Sequence, residues 1–416
     1  MDLSVVIIAI PMYFTLMGVE LVYEAWTRKK TYRLNDAVTN ISTGVLQQLT
    51  GTFFAILKVG VYAYVYEHFR LLEMGQGWLA FLGVFVLWDL CYYWDHRMAH
   101  EISLFWGGHS VHHQSEDFNL SVALRQSSTS FIWGIPFYLP MAIVGFHPTQ
   151  FLLVGGLNLL YQFWIHTEHI DRMPRWFEAI FNTPSHHRVH HGRDPKYLDR
   201  NYAGVLIIWD KLFGTFQREE ERPNYGITKP LQSWNPVYAN FAHYIDLIGY
   251  TRKARSLGDV LRILFKPPGW LPDYMGGREQ ITGVQEQYEK YNTSISARMN
   301  LYILVQFLVA LGLNAYYFFS QGDFLLQIKI GYALWIVFTT LIFGFLFERR
   351  SVLLATLELL RLISIPLGLY LLGSFPQWVL LLSTAFSLGS IAVFLSLYRH
   401  TRRYTHRVQA VQRSST

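Results

Sequence analysis

Trp88-Asp89-Leu90-Cys91-Tyr92-Tyr93-Trp94-Asp95-His96-Arg97-Met98-Ala99-His100-Glu101 closes an apolar run that begins near residue 77. A membrane helix needs about 20 largely apolar residues, and the run supplies nearly that many. Its end carries two histidines four apart, which one helix face presents together. A membrane helix that runs out into paired imidazoles decides the fold class. It is an all-α, multi-spanning membrane protein with a histidine-rich site at the bilayer surface.

Three further clusters follow: His109-x-x-His112-His113, His166-x-x-His169 and His186-His187-x-x-His190-His191. Together the four clusters hold eleven of the 16 histidines. Neutral imidazole is the commonest protein metal ligand. One zinc-like ion takes only about three or four protein ligands, so this many imidazoles point to a two-metal centre. The candidate ligands are His96, His100, His109, His112, His113, His166, His169, His187, His190 and His191. The pattern His-x-x-His-His, met twice, offers two ligands on one helix face and one beside it, which suits two adjacent ions. His186 reads as a neighbour of the site or a surface residue, and His68, His147, His243, His400 and His406 as background.

Carboxylates accompany the clusters. An acid inside a membrane span is costly and a functional suspect, which singles out Asp89. Ligating histidines usually donate their second ring N–H to a carboxylate or carbonyl, and Asp89, Asp95, Glu101 and Glu168 are candidates for that task. Asp89 and Glu101 are the candidate catalytic acids, orienting ligands or relaying protons. Trp94, Trp106, Phe163 and Trp164 are candidates to line a lipid pocket.

The rest of the chain fits a membrane setting. Of 416 residues only 15% are charged, against about 25% in an ordinary soluble protein. Nine candidate spans lie near residues 3–25, 40–66, 77–94, 129–146, 150–168, 299–319, 324–347, 352–373 and 377–398. Spans four and five are short and joined at Gly145-Phe146-His147-Pro148, with Pro136 and Pro140 inside span four, so they read as a hairpin that kinks or only partly crosses. The first 25 residues lack a basic leader and a cleavage site, and read as a retained helix. Basic residues gather at Arg28-Lys29-Lys30, Arg33, Arg349-Arg350, Arg399, Arg402, Arg403 and Arg407, while the loops Gln321-Gly322-Asp323 and Ser374-Phe375-Pro376 carry none. The positive-inside rule then places the N-terminus outside, with the C-terminus and all four clusters on the cytoplasmic side. The net charge of +6 reflects such loops and not a nucleic-acid partner. A lone cysteine, Cys91, excludes an internal disulfide and Cys-based zinc motifs.

Five segments are expected: N-terminal membrane helices (1–76), a histidine-box domain (77–216), a cytoplasmic cap (217–298), C-terminal membrane helices (299–398) and a basic tail (399–416). In the cap, Ser256-Leu257-Gly258-Asp259 predicts a helix start. Leu257, Val260, Leu261, Leu264 and Phe265 follow at helical spacing, with Arg262 and Lys266 off the stripe. This helix lies either on the membrane surface or on the core of the cap.

Imidazole suits zinc, copper, iron and nickel. A site facing lipid chains meets little but C–H bonds, whose attack needs activated oxygen. That chemistry belongs to iron and not to redox-inert zinc, so two irons with O₂ as co-substrate are expected. A zinc protease would need His-Glu-x-x-His, but Leu104 stands where the second histidine belongs. A metal transporter would string ionisable groups along its spans; here only Glu358 and Arg361 do so, and they read as a mutually neutralising pair.

The boxes in this order resemble the membrane-bound fatty acid hydroxylase and sterol desaturase superfamily, over roughly residues 80–216. The likeness is strongest in Trp88-Asp89 through Asp95-His96-Arg97, in Phe181-Asn182-Thr183-Pro184-Ser185-His186-His187-Arg188-Val189-His190-His191-Gly192, in Asn201-Tyr202-Ala203-Gly204, and in Trp209-Asp210 through Thr215-Phe216. Gln162-Phe163-Trp164-Ile165-His166-Thr167-Glu168 is most similar to the branch of the alkylglycerol monooxygenases and their bacterial relatives. The resemblance implies a non-haem di-iron, O₂-dependent oxygenase of membrane lipids. It implies as metal ligands His96, His100, His109, His112, His113, His187, His190 and His191, joined by His166. For that branch it implies hydroxylation of the carbon next to an ether oxygen, with tetrahydrobiopterin as reductant by analogy alone. Other superfamily members, namely sterol desaturases and fatty acid or carotenoid hydroxylases, are the alternatives, with a non-catalytic metal-handling protein behind them. No fused cytochrome b5 domain is visible, so electrons are expected from a separate donor, a pterin or a redox protein. The membrane is a bacterial inner membrane or the endoplasmic reticulum.

Overall fold

The computed structural model describes residues 5–279, 281, 288–348, 353–372 and 375–414. Arg349, Arg350 and Ser374, which bear on the expected orientation, lie outside them, as do the side chains of Arg399, Arg402, Arg403 and Arg407. The described residues form helices and loops, and their β pairing is confined to the isolated bridges Phe181–Leu206 and Gly192–Tyr225. The chain divides into two compact units, residues 1–232 with 236–291, and residues 233–235 with 292–416.

The first unit opens with α1 (Val5–Thr27), α2 (Leu34–Phe69), α3 (Trp78–Glu101), α4 (Ser103–His113) and the single turn α5 (Leu120–Ala123). It continues with α6 (Ser130–Val144), α7 (Pro148–Trp164), α8 (Arg175–Ile180), α9 (Pro184–His190), α10 (Ile208–Phe213), α11 (Pro236–Thr251) and α12 (Leu257–Phe265). Its apolar core joins Tyr62 of α2, Trp88 of α3, Tyr138 and Met141 of α6, and Phe151 and Val154 of α7. The hairpin between α6 and α7 turns at Gly145, whose φ is +111° and where a Cβ would lie 1.9 Å from the Leu72 carbonyl oxygen. Only glycine meets both demands. α7 then begins at Pro148 in a capping box, with His147 Nδ1 accepting from Thr149 N and Gln150 Oε1 accepting from His147 N.

The second unit contains α13 (Ala297–Ser320), α14 (Leu326–Glu348), α15 (Leu354–Leu372) and α16 (Gln377–Ser414). Inside it Glu358 and Arg361 are fully buried. Arg361 donates to both oxygens of Glu358 at 2.7 Å and to Gln306 Oε1 at 2.8 Å, and Tyr302 OH donates to Glu358. The pair neutralises itself within the bundle, as its spacing suggests.

Four helices of the second unit, Ala297–Asp323, Leu326–Glu348, Leu354–Leu372 and Gln377–Tyr398, are long and apolar enough to cross a membrane. A fifth candidate is α2, bent by 46°. Nine crossings were expected; among the described residues four helices, or five with α2, qualify by length and composition. For the hairpin helices and α3 the reason is physical. α6 has 15 residues and α7 has 17, or about 22 and 25 Å at 1.5 Å per residue, short of a hydrocarbon core of about 30 Å. α3 spends its last turns on Asp95, His96, Arg97, His100 and Glu101.

Candidate metal centre

Nine of the ten histidines proposed as ligands converge in two groups. His96, His100, His109, His113 and His190 form the first, and His112, His166, His187 and His191 the second; within each group one ring nitrogen per residue lies within 4.8 Å of all the others. Helix geometry explains the partition. His109 and His113, four apart on α4, turn to the first group, and His112 turns to the second. His187 and His191 turn to the second, and His190 to the first. The repeated His-x-x-His-His box thus serves both groups from each side. The groups adjoin, with the His113 ring 4.4 Å from that of His191 between centroids.

The orientation of the rings follows from backbone carbonyls. His96 Nδ1 donates to the Tyr202 carbonyl at 2.7 Å, His112 Nδ1 to Arg125 at 2.9 Å, His166 Nδ1 to Gln162 at 2.7 Å and His190 Nδ1 to Arg200 at 3.0 Å. Each bond puts the proton on Nδ1 and leaves Nε2 with a free lone pair. Yet Nε2 of His112 lies 3.2 Å from Nε2 of His166. Two unprotonated nitrogens that close repel unless a cation lies between them. His187 Nε2 is 2.9 Å from His166 Nε2, and His109 Nε2 is 2.9 Å from His96 Nε2 and 3.0 Å from His113 Nε2. Nitrogens bound to one ion at about 2.1 Å sit roughly 3.0–3.4 Å apart, so the donor set fits a metal in each group. The buried nitrogens His100 Nε2 and His190 Nε2 have no hydrogen-bond partner, which suits ligand atoms.

Burial holds the rings neutral. It pushes His109, His113, His187, His190 and His191 well below the usual imidazole range, with neighbouring imidazoles adding to the effect. His112 is pushed down to about 4, again mainly by burial. Neutral imidazole is the metal-binding form.

The loop 199–206 is central, and its residues were not singled out as functional from the sequence. Asp199 and Asn201 adopt positive φ of 56° and 55°, a region that Asn and Asp tolerate best after glycine. The Asn201 side chain donates to the carbonyls of His186 and Gln217. Asp210 accepts from the backbone N–H groups of Tyr202 and Ala203. Asp199 approaches His100 Nδ1 at 3.4 Å. Asp89 is wholly buried beneath this loop. Its Oδ1 accepts from Val205 N at 2.9 Å and Asn158 Nδ2 at 2.8 Å, and its Oδ2 from Leu206 N at 2.9 Å and Trp209 Nε1 at 3.0 Å. A Cβ at Gly204 would lie 3.0 Å from Asp89 Oδ1 and 2.9 Å from Tyr92, so glycine permits the close approach. Asn201, Gly204 and Asp210 stand in stretches whose family likeness is visible in sequence. Arg125 gave no sequence signal. It is buried and donates to Val111 O, Asn40 and Gln114.

The remaining candidates lie elsewhere. His169 joins neither group; its Nε2 is 3.5 Å from Thr31 Oγ1 and its ring packs on Tyr23. His186 is buried against Phe216, outside both groups. Glu101 is partly exposed and pairs with Arg97 at 2.8 Å. Asp95 faces Gly134 and Tyr138 of α6. Glu168 accepts from Tyr225 and pairs with Lys29 and Arg222. Trp106 packs against His100, Trp94 against Phe213, Trp164 against Tyr161 and Phe163 against Tyr13. Phe118, unremarked in the sequence, stacks on His166.

The fatty acid hydroxylase family matches residues 81–215, the stretch that holds both histidine groups. Alkylglycerol monooxygenase of Homo sapiens is 40% identical over 394 residues, which is 91% of this chain and 85% of that protein. The chain belongs to the alkylglycerol monooxygenase family. The enzyme of the same name from Xenopus tropicalis is 35% identical over 95% of this chain and 90% of its own length. An ornithine lipid hydroxylase of Rhizobium tropici is 29% identical over 46% of this chain and 60% of that protein. No solved structure matches. The chain is thus an oxidoreductase of the di-iron hydroxylase superfamily, and its long apolar helices mark an integral, multi-pass membrane protein.

Proposed function

We propose that this protein is an O₂-dependent di-iron monooxygenase that cleaves alkylglycerol-type ether lipids. The observation that carries this reading is 40% identity to a human alkylglycerol monooxygenase over 91% of the chain. Iron held by the two histidine groups would supply oxidation of an aliphatic C–H bond by O₂. In the overall reaction one oxygen atom enters the C–H bond beside the ether oxygen. The other leaves as water, with two electrons and two protons from a separate donor, a tetrahydrobiopterin or a redox protein. The hemiacetal then collapses to a fatty aldehyde and glycerol.

The chain's own residues hold and orient. His96, His100, His109, His113 and His190 hold one ion, and His112, His166, His187 and His191 the other. The carbonyls of Gln162, Arg125, Arg200 and Tyr202 fix the tautomers. Asp89 positions the loop that carries two of those carbonyls. Glu101, at the solvent-accessible end of α3, is the acid suited to pass protons from water. Nine membrane segments, with the N-terminus outside and the centre and C-terminus in the cytoplasm, complete the proposal. The membrane is a bacterial inner membrane or the endoplasmic reticulum.

The test is a lipid assay with purified protein, a chemical reductant and an alkylglycerol. Release of a fatty aldehyde, with iron by elemental analysis, supports the reading. A hydroxylated acyl chain or sterol without aldehyde moves the activity to another branch of the superfamily, and zinc in place of iron removes the oxygenase.

A further inference from the structure

The segment between α10 and α13 carries a surface with no role in the centre described above. α11 turns Ala239, Asn240 and Leu247 inward, and the Tyr244 ring sits where a Cβ at Gly107 of α4 would be. Tyr238, Phe241, Ile245 and Ile248, spaced by three and four, are left exposed. Beyond residues 252–256, α12 repeats the pattern. Ser256 caps it by accepting from Asp259 N. Ile263 is 1% exposed and packs inward, whereas Leu257, Leu261 and Phe265, on the stripe legible in the sequence, are 75%, 50% and 52% exposed. Val260 and Leu264 of that stripe are half-buried beside Ile263, so α12 leaves the Leu257–Leu261–Phe265 edge of the stripe uncovered.

Basic residues border these apolar faces. Arg252, Lys253, Arg255, Arg262 and Lys266 stand against the single acid Asp259 across residues 252–266. Beside them lies a cavity of about 340 Å³ lined by Tyr250, Lys253, Arg255, Leu271, Tyr274 and Met275. The Arg255 guanidinium lies over the Tyr274 ring at 4.1 Å. Tyr274 OH accepts from Arg255 N at 2.9 Å and donates to Asp259 at 3.1 Å. Asp259 also has Arg262 at 3.6 Å, so Lys253 and Arg255 are the cations that line the cavity.

We propose that α11 and α12 form an interfacial platform lying on the membrane, and that the cavity receives the phosphate of an anionic phospholipid headgroup. Two adjoining helices with exposed apolar faces and basic flanks match a surface whose outer layer is anionic and whose inner layer is apolar. The rest of the chain already places the protein at such a surface, through helices long enough to cross it. The proposal holds whatever reaction the metal centre performs.

The test uses the full chain in phosphatidylcholine nanodiscs. Cys91, the only cysteine and buried, is replaced by serine, and Leu261→Cys carries an environment-sensitive bimane. A few mole per cent of brominated phosphatidylglycerol or brominated phosphatidylcholine is then added. Quenching by both lipids is expected, with at least about a fivefold preference for the glycerol lipid, the equilibrium equivalent of one basic residue near an anionic surface. The preference should vanish in K253A/R255A while quenching by the choline lipid persists. A bimane at Asp171→Cys, a strongly exposed position, should show no such preference. Retained bound metal and a monodisperse elution profile report that each variant is folded. Absence of quenching at position 261 overturns the platform. A preference unchanged in K253A/R255A overturns the headgroup site. Binding of inorganic phosphate without any lipid preference shows a site for free phosphate and also overturns the proposal.

Discussion

Asp89→Asn separates the two roles open to a buried acid beside a metal centre. The carboxylate accepts four hydrogen bonds, two at each oxygen. Asparagine keeps the shape but replaces one acceptor oxygen by an NH₂ donor. Whichever way it turns, two donors lose their acceptor, either Val205 N with Asn158, or Leu206 N with Trp209. Each buried, unsatisfied donor costs about 1–3 kcal/mol, so the loop is loosened by roughly 2–6 kcal/mol. That loop carries the carbonyls of Tyr202 and Arg200, which orient His96 and His190, both in the first histidine group. In the second group, His112 and His166 are oriented from Arg125 and Gln162, outside the loop. The variant should therefore lose the metal of the first group and keep that of the second. Iron per chain should fall from two toward one, measured by elemental analysis alongside aldehyde release. If Asp89 instead relays protons, both irons stay and turnover alone collapses. Retention of both irons with full turnover would refute the positioning argument.

Further predictions concern each group, the membrane pair and pH. His112→Ala and His113→Ala remove neighbours that serve different groups. Each should lower bound iron and abolish turnover while membrane insertion persists; full activity with both irons retained would count against the assignment. Arg361→Met leaves Glu358 buried without its partner and should cost about 3–5 kcal/mol, read as a lower midpoint of thermal aggregation in detergent. The double variant E358Q/R361M should recover most of that loss. In metal-stripped protein His112 protonates near pH 4 when folded but near 6.5 when unfolded. The unfolded state thus binds more protons between those values, and stability falls as pH drops from about 6.5 to 4. The contribution is roughly 3 kcal/mol from this residue at about 1.4 kcal/mol per pH unit. Equilibrium denaturation across that range checks it, and a flat profile would refute the buried neutral ring.

Much of the centre was legible because histidine spacing is local. Residues three and four apart on a helix share a face whatever the tertiary structure does. His96 with His100 and the two His-x-x-His-His boxes therefore announced themselves. His169 shows where this logic stops. It lies three residues after His166, but α7 ends at Trp164, so no helical face carries the two rings together. The count of crossings is met only in part among the described residues, for a related reason. Hydropathy marks α3, α6 and α7 as apolar, but it does not say that proline, glycine and the centre's own charges cut them short.

The sequence alone determined the ligand type, the boxes that supply nine of the imidazoles, the helical membrane setting and the expectation of two ions, because these depend on side-chain chemistry and on near-neighbour spacing along a helix. Only the tertiary structure decided which histidine joins which group, and that backbone carbonyls of Gln162, Arg125, Arg200 and Tyr202, not carboxylates, set four of the tautomers. A carbonyl is present at every residue and leaves no mark in composition. Those of Arg200 and Tyr202 acquire a role only because a turn held by Asp89, Asn201 and Asp210 brings them within hydrogen-bond reach of a ring.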